Sequence, residues 1–194
     1  DANTTADFNT AIGNNALGAN TTGTQNTAIG VNALDSHNGN YSTAVGVNAL
    51  SDNTSGGNNT AVGVQALYRN TTASNSVAIG FRALDQNTTG AGNVAVGSEV
   101  LDAATTASNN TAVGRYALTN STTGDLNTAI GFNTMAAAQT SDRNVAVGGY
   151  ALSSYSQTGD NYIVAVGYGA LDANTTASNN TAIGDNAPSS ARSW

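Results

Sequence analysis

Cysteine and lysine are absent from this chain, and proline, histidine, tryptophan and methionine occur once each in 194 residues. Without cysteine, neither disulfides nor thiolate metal sites can form. The basic residues are Arg69, Arg82, Arg115, Arg143 and Arg192, scattered along a chain of net charge −7. Binding to phosphate backbones takes clustered basic residues, so nucleic acid is not expected as a partner. No apolar run approaches the roughly 18 residues that span a bilayer, and membrane insertion is not expected. No signal peptide is visible, and a chain opening at Asp1 reads as a processed protein or an excised fragment.

Groups that do chemistry are equally scarce. The one histidine, His37, lies in the polar stretch Asp35-Ser36-His37-Asn38-Gly39-Asn40 and reads as a solvated turn residue. A catalytic triad needs a nucleophile placed against its base, and Ser36 is only a sequence neighbour. Glu99 is the only glutamate, so paired carboxylates would have to be aspartates. Asp35, Asp85, Asp102 and Asp172 do recur one place after a leucine, with Asp52 one step away. Hard cations want clustered oxygens, but the glycine-rich nonapeptide of calcium-binding rolls is missing, so these read as surface turn residues. The expectation is a protein that is not an enzyme and uses no metal or cofactor.

What the chain does have is a repeat. Glycines closing Thr-Ala-Ile-Gly and its variants fall at 13, 30, 46, 63, 80, 97, 114, 131, 148, 167 and 184. Eight of the intervals are 17 residues, one is 16 and one is 19. The unit reads Asn-Thr-Ala-Ile-Gly-x-x-Ala-Leu, then polar residues, then Thr-Thr-Gly. Self-similarity at a fixed period marks a stacked architecture. Two short apolar segments separated by Gly and Asn-Thr-Thr match no helical period, whereas β-branched runs closed by glycine match strands. The predicted fold is all-β: a parallel β-roll or β-solenoid of about eleven 17-residue turns, forming a single domain over residues 1–194.

Alternation along a strand divides each Thr-Ala-Ile segment into two faces. The larger β-branched pair, such as Thr10 with Ile12 or Val145 with Val147, is the predicted inward set. Leucine four places beyond the glycine, from Leu17 to Leu171, adds a second apolar ladder, with Met135 and Pro188 as departures. The opposite face holds alanine in every turn: Ala11, Ala28, Ala44, Ala61, Ala78, Ala95, Ala112, Ala129, Ala146, Ala165 and Ala182. Either two layers of one coil approach too closely there for anything larger, or neighbouring chains pack through this flat face.

Segments such as Asn75-Ser76-Val77-Ala78-Ile79-Gly80 and Asn93-Val94-Ala95-Val96-Gly97 resemble the head repeats of trimeric autotransporter adhesins of the YadA type. Similar repeats occur in phage tail fibres. The resemblance covers nearly the whole chain and implies a left-handed parallel β-roll, usually trimeric, displayed outside the cell and binding host matrix or surfaces. The 17-residue turn is longer than the family's, and the residues in hand read as neither a coiled-coil stalk nor a membrane anchor.

Two further features bear on partners. Thr22, Thr72, Thr89, Thr106, Thr123 and Thr176 occupy equivalent places in Thr-Thr pairs and are predicted to form an outward row, the arrangement with which ice-binding solenoids order water. Aromatics at Phe81, Tyr116, Phe132, Tyr150 and Tyr168 cluster just after the glycines, either as an exposed stripe or packed under loops or between chains. Residues 187–194 read as either a C-terminal cap or a docking tail anchored by Trp194. The termini are in phase with the repeat, so rods could continue end to end. The expected role is an extracellular, cell-surface or virion-surface fibre or adhesin segment. It would assemble with itself as a trimer or filament, and an end-to-end filament subunit and an ice-binding solenoid follow as alternatives.

Overall fold

Thirteen strands of two or three residues build the protein, described here for residues 6–187 from a computed structural model. They are β1 (Thr10–Ile12), β2 (Thr27–Ile29), β3 (Thr43–Val45), β4 (Thr60–Val62), β5 (Val77–Ile79), β6 (Val94–Val96), β7 (Thr111–Val113), β8 (Thr128–Ile130), β9 (Ser141–Asp142), β10 (Val145–Val147), β11 (Gly159–Asp160), β12 (Val164–Val166) and β13 (Thr181–Ile183). Eleven of them form one parallel sheet in chain order, and β9 pairs with β11 beside it. The register is set by the repeat, with alanine paired to alanine from Ala11↔Ala28 through Ala165↔Ala182. This is the β-solenoid that the 17-residue period predicts.

Backbone hydrogen bonding follows the stacking. Outside the strands, N–H groups reach the equivalent loop of the adjacent turn, as in Leu50 N–H to the Ala66 carbonyl at 3.0 Å and Gly63 N–H to Val45 at 2.8 Å. No turn satisfies its own backbone, so each depends on its neighbours.

The two strand faces are reversed relative to the sequence expectation. Alanines 28 through 165 of the strand column are completely buried, and Ala182 nearly so. The flanking Thr/Val and Ile/Val side chains are half-buried or exposed. Volume explains the reversal. The interior of most layers already holds Leu or Met, a second alanine such as Ala49 or Ala66, and an asparagine or serine two residues before the strand alanine, with Val100, Thr134 and Ile163 as bulkier or polar departures. Only a methyl group fits opposite them. Ala95→Leu is expected to cost about 1–3 kcal/mol through overfilling, read as a lowered thermal midpoint by circular dichroism.

The leucine ladder has a conformational cause as well as an apolar one. Leu34, Leu50, Leu67 and Leu84 all have φ between 51° and 56°. The residue two places earlier is also left-handed, as in Asn48 at 57°, and so is the residue before the buried Asn or Ser, as in Gln25 at 59° and Tyr41 at 60°. Left-handed backbone crowds Cβ against the following carbonyl, and branching at Cβ makes this worse. Accordingly, none of these three columns contains Ile, Val or Thr. The buried apolar position takes Leu or Met because only a side chain unbranched at Cβ can both fill the core and turn the chain.

Candidate functional site

A feature open to a partner is the outer face of the eleven-stranded sheet. One column runs Thr10, Thr27, Thr43, Thr60, Val77, Val94, Thr111, Thr128, Val145, Val164, Thr181. The second runs Ile12, Ile29, Val45, Val62, Ile79, Val96, Val113, Ile130, Val147, Val166, Ile183. Neither contains a charged residue. At a strand spacing of about 4.8 Å the face is about 50 Å long. With a width of roughly 10 Å it offers on the order of 500 Å², near the upper end for the largest apolar patch of a typical monomer.

Just past the strand glycine a third column extends this surface with Val31, Val47, Val64 and Phe81, all exposed. Further along, Tyr116, Phe132, Tyr150 and Tyr168 form a continuous ring ladder with centroid steps of 6.2, 5.3 and 5.7 Å. The last two contacts are edge-to-face, the favoured arrangement of aromatic quadrupoles. Tyr168 leans over Gly149, where even an added Cβ would meet the ring at an ordinary contact distance of 3.4 Å. Arg115 lies 4.4 Å above the Tyr116 ring and donates to its hydroxyl at 2.6 Å. Within the single chain these rings are not packed under loops: Phe132 is 41% and Tyr168 58% accessible.

The strand alanines are enclosed by their own coil and offer no surface to another chain. That corrects self-association through Ala28, Ala44, Ala61, Ala78, Ala95, Ala112, Ala129, Ala146, Ala165 and Ala182. Ala11 in β1 is exposed, having no turn before it among the described residues. Trp194 and the rest of 188–194 lie outside the described residues. The predicted threonine row is outward: Thr22, Thr72, Thr89, Thr106, Thr123 and Thr176 are all exposed. Behind four consecutive members stand Thr71, Thr88, Thr105 and Thr122, each donating its hydroxyl to the carbonyl of the next turn at 2.9–3.1 Å.

Two polar sites differ from expectation. His37 is completely buried, not solvated, and is one of the largest side chains in the interior. Asp85 is also buried, held by Arg82 at 3.1 Å, while the same guanidinium reaches Asp102 at 3.3 Å. Burial raises the Asp102 carboxyl above its ordinary range, opposed by Arg82. One oxygen of each carboxylate lies buried without a hydrogen-bond partner. Among the described residues, no group of three or more histidine, aspartate or glutamate side chains converges as metal ligands would.

Alternation exposes one of two sets on a strand, and assigning the bulkier set to the core hid the outer face from sequence reasoning. The signal available was the invariance of alanine, which marks a position that tolerates no added volume. No family model, curated protein or solved structure matches the chain.

Proposed function

We propose that the chain is a non-enzymatic extracellular rod, a fibre or adhesin segment, that assembles with itself through the outer face of its sheet. The observation carrying this is the pair of uncharged Thr/Val and Ile/Val columns, left open along eleven strands and widened by Val31, Val47, Val64 and Phe81. A second copy laid against it covers a regular apolar strip and meets no buried charge. The same face in two partners approaches the roughly 800 Å² per side of a stable interface once the flanking column is included. Resemblance to adhesin head repeats and tail fibres favours a trimer displayed outside the cell or on a virion, with a host or matrix surface as the further partner.

Light scattering with negative-stain electron microscopy tests this. Discrete rods of trimer mass are the expected result. Ile79→Asp combined with Ile130→Asp should lower the mass to that of one chain while circular dichroism stays unchanged, because both side chains are exposed and stand three strands apart. An unchanged mass for that variant, or a monomeric wild type, would overturn the reading. Long fibres would instead point to end-to-end stacking. The exposed Thr72, Thr89, Thr106 and Thr123 row favours a second reading, a surface that orders water. A monomeric wild type with thermal hysteresis, reduced by Thr89→Lys, would replace the first.

A further inference from the structure

His37 occupies a buried column that holds Asn20, Asn53, Asn70 and Asn87 in the turns around it and Ala104, Ser121, Ala138, Tyr155 and Asn174 further on. The Asn53 amide nitrogen donates to His37 Nδ1 at 2.7 Å, which leaves the proton on Nε2, 3.2 Å from the side-chain Oδ1 of Asn26. That Asn53 amide cannot turn over to offer its oxygen. Its nitrogen also donates to Gly56, and its oxygen accepts from the Gly56 N–H and from Asn70. A protonated imidazole would therefore place an N–H donor against a fixed donor, inside the coil and away from water.

No charged side chain nearby offsets the charge, and the backbone hydrogen bond with Asn53, which favours the protonated ring, only partly opposes burial. Residues 17–34, the turn before, contain no ionisable side chain. Asp35 on the same turn lies beside Gly18, and Asp52 on the next turn is exposed. Neither carboxylate contributes to holding a proton on the ring, and burial pushes the imidazole from 6.5 down to about 4.

We propose that His37 is an acid-sensitive latch: its protonation breaks the buried ladder between the second and third turns and opens the amino-terminal part of the rod, while later turns stay wound. Stacked turns interact only with their neighbours, so a local break need not spread. As pH falls, the opened chain takes up the proton first. The stability contributed by neutral His37 is complete above pH 6.5 and is lost progressively between 6.5 and 4.

Hydrogen exchange, corrected for intrinsic rates, reads this turn by turn. Between pH 7.5 and 4.5 the wild type should lose on the order of a hundred-fold protection around residues 20–59. Residues 93–147 should keep theirs. His37→Asn restores the column's own residue and should keep protection in both segments. As the only histidine, His37 also gives an isolated imidazole signal, expected to stay neutral at pH 5.5 in the wound protein. Equal pH dependence in wild type and variant, or an imidazole titrating near 6.5 in the wound state, would overturn the latch.

Discussion

Gly80→Ala is expected to destabilise the rod by about 4 kcal/mol or more, while Gly149→Ala changes stability by no more than about 0.5 kcal/mol. Gly80 closes β5 with φ at +135°, and a Cβ built there would lie 2.2 Å from the Gly97 carbonyl oxygen on the next turn. Left-handed strain alone accounts for about 1–3 kcal/mol. The overlap is with backbone, so two turns would have to separate and give up hydrogen bonds such as Gly97 N–H to Ile79 at 2.8 Å. The same geometry recurs down the column from Gly13 to Gly167, which is why every turn ends its strand with glycine. Gly149 has ordinary backbone, and its nearest neighbour is the Tyr168 ring at 3.4 Å. Urea unfolding of both variants, followed by circular dichroism, separates the two cases. Equal effects would show that steric closeness at Gly80 does not hold the turns together.

The period carried most of the fold, because glycine and leucine recur where the backbone leaves them no substitute. It could not say which strand face is inside. Thr-Ala-Ile alternates identically whichever set is buried, and ranking by hydrophobicity chose Ile79 over Ala78. What decides is the space left by Leu84, Ala83 and Ser76, a property of the closed turn. The outward threonines were legible because a Thr-Thr pair in a polar loop has few other places to go. His37 was misread because its immediate neighbours are polar. Counted from the preceding glycine it stands seven places on, as do Asn20, Asn53, Asn70 and Asn87 from theirs, and that column is interior. Comparison between turns carried information that neighbouring residues did not.

The second column of buried polar residues leads to the other large effect. Asn110 accepts the Asn127 N–H at 2.9 Å and donates across the coil to the Gly124 carbonyl at 2.8 Å. It also approaches Asn93 Oδ1 at 3.2 Å. Asn59, Asn93 and Asn127 repeat both bonds in their own turns, and Asn144 repeats the first. Asn110→Ala strands a donor and an acceptor in the interior, each worth about 1–3 kcal/mol, and is expected to cost about 3–5 kcal/mol. Serine is the informative comparison. Ser42 and Ser76 stand in the same column, and their hydroxyls accept the next turn's N–H from Asn59 at 3.3 Å and Asn93 at 3.2 Å. Asn110→Ser keeps that bond and loses only the one across the coil, so about 1–2 kcal/mol is expected. If urea unfolding shows alanine costing no more than serine, the bond along the ladder is not what steadies the turns. If alanine costs far more, the rod is held as much by its asparagine seam as by its leucines. Ile163 stands in that column with no acceptor to offer, so the seam would be a property of the turns up to Asn144 and not of every turn.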